Sequence, residues 1–280
     1  MRRCTAAGNL NPLADLQRGG YHTHMCGRAT IVNPDGITEK VYGYTKKFVP
    51  SDWKPRYNLN PREEIPAVYY DPFLRQRVLR PMHWNFIPSK LANRERVDEF
   101  DSHYSAFNAR IETAASAPTF EQAWRSQRCL VVIDGIIEWV GEKRNKIPHL
   151  IRHRQRMPIA MAGLWNRWHD RKSGEEIWSC TVIVKDSDDW YARFHDRMAV
   201  LLSPDAYDGW LDPERTRGQL ETLASSAYHR DGELEYFPIS RLVNNPGYDA
   251  PDCLDPPSAE ELQAQLVLGK RASAQMKLDL

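Results

Sequence analysis

A cysteine directly follows a methionine in Met25-Cys26-Gly27-Arg28. Initiation at Met25 and removal of that methionine would leave Cys26 as a free amino terminus. Such a cysteine carries an α-amine, with a reference pKa near ~8, and a thiol, near ~8.5, on adjacent carbons. The amine condenses with an aldehyde to a Schiff base, and the thiolate then closes a five-membered thiazolidine. Gly27 allows close approach to the backbone, and Arg28 favours the thiolate and suits a phosphate. The plain alternative is an ordinary start codon, or a buried cysteine leading into a strand from Arg28 to Val32.

Other candidate groups lie far along the chain. In Ile136-Ile137-Glu138-Trp139-Val140 the strand period puts Glu138 on one face with Ile136 and Val140. A carboxylate among apolar neighbours is either paired or held protonated, which suits general acid–base work, unless the strand end has already reached solvent. His195, within His195-Asp196-Arg197-Met198, is a natural proton shuttle or a satisfied structural histidine. Asn108 and Arg110 are two apart on an extended segment and point the same way, an orienting amide beside a guanidinium for phosphate, or a loop asparagine beside a surface arginine. His22, His24 and Cys26 alternate, but three ligands without a fourth make a poor zinc site, and no metal is expected.

A chain of 280 residues, 41% hydrophobic and 27% charged, fits a globular protein of one or two domains. No apolar run is long enough to cross a bilayer, and no secretory signal follows Met1-Arg2-Arg3. The five scattered cysteines form no CxxC pair, which suits a reducing cytoplasm rather than a disulfide framework. From Glu142 to Lys172 there are nine Lys/Arg against two acids, with Trp165 and Trp168 interleaved, so a nucleic-acid surface and a solvated hairpin are both open.

The elements that must position these groups read mainly as strands: Arg28–Val32, Ile65–Tyr70, Val78–Phe86, Ile177–Val184, Ala199–Leu202 and Glu235–Ile239. Arg56-Tyr57-Asn58-Leu59-Asn60-Pro61 reads as a polar loop. Cys129–Ile133 and Ile136–Val140 flank Asp134-Gly135, the preferred hairpin turn, and are expected to pair. Ile147–Arg152 and Pro158–Leu164 are expected to form a further antiparallel pair. Thr119 is expected to cap a helix, Ser203-Pro204 to start another, and a third to run from Pro213 to Ala227. Residues 1–24 read as a disordered leader or a start assigned too early, and 256–280 as a polar tail.

Taken in order, Met25-Cys26-Gly27-Arg28, Arg56-Tyr57-Asn58 with Pro61, Asn108-Ala109-Arg110-Ile111-Glu112-Thr113, the Cys129–Trp139 segment and His195-Asp196-Arg197-Met198 resemble the SOS response-associated peptidase family. The resemblance spans roughly Cys26 to Cys253 and implies one domain, 25–255. Its implied fold is α+β, a mostly antiparallel β core of barrel-like character with peripheral helices. Its implied function is the sensing of abasic sites in single-stranded DNA and covalent linkage to them, by a cytoplasmic monomer without cofactor that is nucleoid-associated when bound to DNA. Cys26 would trap the ring-opened sugar as a thiazolidine, Asn108 position it, Glu138 handle protons during amine attack, and His195 help open the ring. Arg28 and Arg110 would hold flanking phosphates, and Pro61 and Trp84 present apolar surface to the bases, although the residues alone leave Trp84 as either core or an aromatic platform at a strand end. The peptidase in the family's name implies self-cleavage that exposes the cysteine.

Three features depart from the family's pattern. Twenty-four residues precede Met25 and would block the amine if kept. Trp84-Asn85 stands where a Trp-Gly pair is usual. Lys185 replaces a small hydroxyl residue, so it is expected to hold phosphate or perturb Glu138. A thiol peptidase using Cys26 with His195, and a non-catalytic single-strand binder, are the alternative functions.

Overall fold

The computed structural model describes residues 27–141, 146–225 and 232–261. Met25, Cys26, the leader and most of the tail lie outside them. The strands are β1 (Ala29–Ile31), β2 (Lys46–Lys47), β3 (Arg56–Leu59), β4 (Glu64–Asp71), β5 (Gln76–Trp84), β6 (Asn108–Arg110), β7 (Arg128–Ile133), β8 (Gly135–Val140), β9 (Ile147–His153), β10 (Ile159–His169), β11 (Glu176–Asp186), β12 (Arg197–Ala199), β13 (Leu201–Leu202) and β14 (Leu234–Pro238). The helices are α1 (Glu39–Tyr42), α2 (Arg94–His103), α3 (Ile111–Ala114), α4 (Glu121–Ser126), α5 (Tyr207–Leu211) and α6 (Arg217–Ser225). No helix among the described residues is long and apolar enough to cross a membrane.

Five strands close on themselves in the ring β7-β4-β5-β11-β10. Four of the junctions are antiparallel, and the fifth is a short parallel one, Ser179 against His83 and Cys180 against Trp84. Closure leaves no edge among these strands. Close packing shows at Gly163, where a Cβ would sit 2.8 Å from Val131 Cγ2 and 2.9 Å from Cys129 Sγ. Strand β7 is buried along its whole length, with α4 and α5 packed against it. Arg128 ties them together: its guanidinium donates to the carbonyls of Trp124, Arg125, Trp210 and Asp212, at and just past the ends of the two helices. Helix ends leave such carbonyls without partners. Burial pulls the Arg128 pKa down to about 10, so the group is still a cation at neutral pH.

A second, open sheet runs β14-β9-β8-β1-β3. Here the expected pairings fail. β7 and β8 do not form a hairpin: β7 joins the barrel and β8 joins the open sheet, between β1 and β9. Asp134-Gly135 is the corner where the chain changes sheets. The Asp134 amide donates to Thr30 O at 2.8 Å, and its carboxylate accepts from Asn33 N at 2.7 Å. A Cβ on Gly135 would sit 2.6 Å from Leu150 Cδ1 and 3.0 Å from Ile151 O, so glycine eases a close approach there rather than making a turn. β9 and β10 likewise part, to β8 and β14 in one sheet and to β7, β11 and β13 in the other. Arg56–Leu59 is a strand and not a loop. α4 takes Phe120, not Thr119, as N-cap, without a side-chain bond, and Ser203 precedes a short 3₁₀ turn before α5. α2, which was not anticipated, is capped by Asn93, whose side chain accepts from Arg96 N.

Candidate functional site

A cleft of about 630 Å³ opens at the end of β8, lined by Gly27, Arg28, Pro61, Glu138, Trp139 and His195 among others. Glu138 enters it from the middle of the open sheet, opposite His149 on β9. It is 3% exposed, and its Oε1 accepts a 2.9 Å hydrogen bond from the hydroxyl of Tyr191. A buried carboxylate is tolerable only with such donors. The alternation that put Glu138 on one face and Trp139 on the other holds.

His195 ends the loop between β11 and β12. Ser187 pins that loop at both ends, its hydroxyl donating to His195 O at 2.6 Å and its amide to Asp196 O at 2.9 Å. The imidazole Nδ1 lies 3.0 Å from Arg197 N and 2.6 Å from an Asp196 carboxylate oxygen. One ring nitrogen cannot accept from the amide and donate to the carboxylate at once. The amide is fixed by the backbone, whereas the Asp196 side chain is 86% exposed and free to turn. The assignment that follows is an Nδ1 that accepts and an Nε2 that carries the proton.

Arg28 is the partly buried cation of the cleft. Its Nη1 donates to Asn58 Oδ1 at 2.7 Å and to Val243 O at 2.8 Å, and the guanidinium lies 5.5 Å from the Trp139 ring centre. Burial lowers its pKa, against the opposing field of Glu63. Its Nε has no hydrogen-bond partner among the described residues. Asn58 is the hub behind it. Wholly buried, it donates to the carbonyls of Val243, Asn245 and Tyr248, while Asp249 accepts from the Tyr57 and Asn58 amides and pairs with Arg56. The Arg56-Tyr57-Asn58 motif thus holds the loop that brings Asn244 and Pro246 to the opposite wall of the cleft.

The remaining sequence candidates divide. Asn108 is half-buried on β6, next to Phe107, which lines the cleft, and pairs in parallel with Val182. Arg110 is exposed at the end of β6 and is not among the lining residues. Trp84 is a correction: it is 1% exposed, its indole N–H donates to Phe107 O at 3.1 Å, and it meets the Phe107 ring edge-on. It supports the cleft wall from behind and offers no surface to a base. Trp165 and Trp168 are corrections of the same kind, at 6% and 1% exposure, so the basic segment's tryptophans belong to the core. Asn85 is wholly buried, bonded to Asp101, Tyr104 O and Ala106 N. Lys185 donates to Ala224 O at 3.0 Å, which anchors it toward α6. Cys26, His22 and His24 lie outside the described residues.

Tyr191, Phe194 and Arg62 were not singled out from the sequence. Tyr191 and Phe194 precede His195 in a loop without period. Arg62 adopts φ +72°, an uncommon conformation for a residue with a Cβ, and its side chain donates to Asp101 O. Its only sequence signal was adjacency to Pro61. With Lys146 also on the rim, the cleft combines cations with one buried carboxylate, a set suited to holding an anionic ligand while moving a proton.

The SOS response associated peptidase (SRAP) family model matches residues 25–246, and the chain belongs to this family. It is similar to the abasic site processing protein YoaM of Bacillus subtilis, 30% identical over 82% of this chain and 98% of that protein. It also resembles the abasic site processing protein HMCES of Xenopus tropicalis, 29% identical over 82% and 78% of the two chains. A crystal structure of a protein from Bordetella bronchiseptica superposes with a TM-score of 0.63 at 24% identity, over 77% of this chain and all of that one. One from Bacteroides thetaiotaomicron superposes with a TM-score of 0.64 at 22% identity, over 74% and 87%. These structures share the fold. The α+β architecture expected from the family resemblance is the one observed.

Proposed function

We propose that this protein processes abasic sites in single-stranded DNA by forming a covalent thiazolidine through Cys26. The observation that carries the reading is that Gly27, joined to Cys26 by one peptide bond, lines the same cleft as Glu138, His195 and Arg28. The relatives' names supply the substrate class.

The chemistry needs no outside reactant. The ring-opened sugar presents an aldehyde at C1′. The Cys26 α-amine adds to it and water leaves, giving an imine. The Cys26 sulfur then adds to the imine carbon while its proton passes to the nitrogen, so the net change is loss of one water. Glu138, held by Tyr191, takes the proton released as the amine attacks and returns it to the departing hydroxyl. His195, whose Nε2 carries the proton, hydrogen-bonds to the sugar ring oxygen as the ring opens, while the proton of the anomeric hydroxyl passes to that oxygen, so the opening neither gains nor loses a proton. Asn108 orients the aldehyde. The Arg28 and Arg110 guanidiniums take phosphates on either side, and Pro61 offers apolar surface to a base. The amine must be free, so Cys26 has to be the mature amino terminus, through initiation at Met25 or by removal of the preceding residues, self-cleavage included. The protein acts as a monomer, in the cytoplasm and on the nucleoid.

Intact mass before and after incubation with a single-stranded oligonucleotide carrying one abasic site tests this. A chain starting at Cys26 that gains the oligonucleotide mass less one water, stable to denaturation and absent in Cys26→Ala, is expected. A chain starting at Cys26 that stays unmodified overturns the trapping chemistry. If it still binds the oligonucleotide, a non-catalytic single-strand binder is left. Cys26-dependent turnover of an unrelated peptide would instead identify a thiol peptidase.

A further inference from the structure

We propose that single-stranded DNA leaves the cleft across a face made by Trp190, Arg193 and Tyr236, which stacks its bases and holds a phosphate on one side of the abasic site. The inference rests on the nucleic-acid reading of the cleft and adds a second binding surface to it.

The register of the open sheet lays this face out. Glu138 on β8 pairs with His149 on β9, and Tyr236 on β14 pairs with Ile151, two residues along the same face from His149. A row therefore runs from the cleft floor through His149 to Tyr236 on the outermost strand. The loop that carries His195 covers this row with rings. Phe194, which lines the cleft, lies 6.1 Å from His149 and 5.1 Å from Tyr236, centre to centre. Trp190 lies 5.9 Å from Phe194 and 5.7 Å from Tyr236. The aromatic surface is thus continuous from the cleft wall outward. It is also open: Tyr236 is 39% exposed, and Trp190 is half-buried.

Arg193 is exposed over both outer rings, 5.2 Å from Tyr236 and 5.9 Å from Trp190. Its Nε donates to Trp190 O at 2.9 Å and its Nη1 to the Tyr236 hydroxyl at 2.5 Å. No carboxylate pairs with it among the described residues, whereas Arg197 in the same segment carries both Glu112 and Asp186. A cation held against two aromatic rings and left without a counter-ion has donors to give a phosphate, beside π-faces that accept any base. The face continues from the cleft that holds the proposed reactive sugar, so a strand seated there reaches it within a few nucleotides. These features fit a single strand better than a duplex, whose bases are not available to stack.

The test is equilibrium binding, by fluorescence anisotropy, to two labelled single-stranded oligonucleotides. Each contains one tetrahydrofuran abasic analogue, which has no aldehyde, placed near the 5′ end in one and near the 3′ end in the other. The double substitution Trp190→Ala with Tyr236→Ala is expected to weaken binding of one oligonucleotide by about tenfold or more, and of the other by less than about twofold. Trp190→Phe with Tyr236→Phe, which keeps the rings, is expected to restore it. Arg193→Gln is expected to lower the salt dependence of the same oligonucleotide by about 0.7 in logarithmic slope, one phosphate contact. Equal weakening of both oligonucleotides, no weakening of either, or wild-type protein that binds neither overturns the proposal. The assay does not depend on covalent chemistry. Wild-type protein that forms no adduct with an authentic abasic site would sink the trapping reaction while leaving the outcome for this face intact.

Discussion

Two arginines, one buried and one partly buried, show how differently the barrel and the open sheet are built. Arg128, in the barrel, spends Nε, Nη1 and Nη2 on four backbone carbonyls. Arg28, which leads into β1 of the open sheet, reaches Asn58 and Val243 through Nη1 and lies over Trp139, while its Nε, itself buried, has no hydrogen-bond partner among the described residues. Burial pulls both pKa values down, that of Arg128 to about 10, which leaves Arg128 a cation at neutral pH. The first gives four of its five N–H groups to backbone carbonyls and stabilises. The second is held by two bonds from one nitrogen and lines the cleft, which leaves more of its guanidinium for a ligand. The same contrast runs through the two regions: the barrel buries apolar strands against helices, and the open sheet buries Asn58 and Glu138 in polar contacts around a cleft.

If the contrast is right, substitutions in the two regions must separate stability from chemistry. The largest effect is expected for Arg128→Met, which strips four carbonyls of their donor. A loss of about 3 kcal/mol or more in urea unfolding is expected, with adduct formation per folded molecule unchanged. Reduced adduct formation at full stability would break the comparison. Next, Glu138→Gln keeps the shape and the Tyr191 contact but removes the proposed base. Adduct formation should slow by about 10² or more, with unfolding stability within about 1 kcal/mol, as read by single-turnover gels beside denaturation curves. An unfolding loss without a rate loss would make Glu138 a structural residue.

Arg28→Lys keeps the charge and loses the planar fork. Affinity for single-stranded DNA should fall by about tenfold and stability by about 1 kcal/mol, a mixed signature unlike that of Arg128. The smallest effect is expected at His149, whose pKa burial lowers, against a raising contact from Ile147 O. The unfolded chain then takes up a proton near pH 6.5 that the folded protein refuses, so stability falls as pH drops below that value. His149→Phe should flatten this decline in thermal melts taken between about pH 7 and pH 5. An unchanged slope would remove His149 from the account.

Much of the fold was legible because strand period and burial are local. Glu138 among Ile136 and Val140, the hydrophobic runs of β4, β5, β10 and β11, and the breaks between them followed from alternation and turn residues. The errors came where a local signal had two long-range solutions. Asp134-Gly135 between two apolar runs suits a hairpin, yet the same glycine also lets a chain pass close to Leu150 and Thr30 on its way into another sheet. β9 and β10 parted for the same reason, since strand sequences state which face is apolar and not which neighbour it meets. Trp84 was legible as either core or platform, and Trp165 and Trp168 only as aromatics of a basic segment, because an indole between strand residues suits either side of a sheet. Asn58 was visible only as part of a motif. Its three acceptor carbonyls lie about 190 residues on, at Val243 to Tyr248.

The chain by itself determined the inventory of candidate groups, a cysteine directly after a methionine, a carboxylate on an apolar strand face, a histidine and their order, because these are properties of residue type and near spacing. It also determined the family, through that order. The tertiary structure alone decided that β7 and β8 part into two sheets, that Gly27, Glu138 and His195 share one cleft, that Tyr191 holds the carboxylate, and that Arg28 lines the cleft while Arg128 is spent on carbonyls at helix ends. Those outcomes depend on contacts between residues tens to hundreds of positions apart. Their free energies exist only once the whole chain has closed around them.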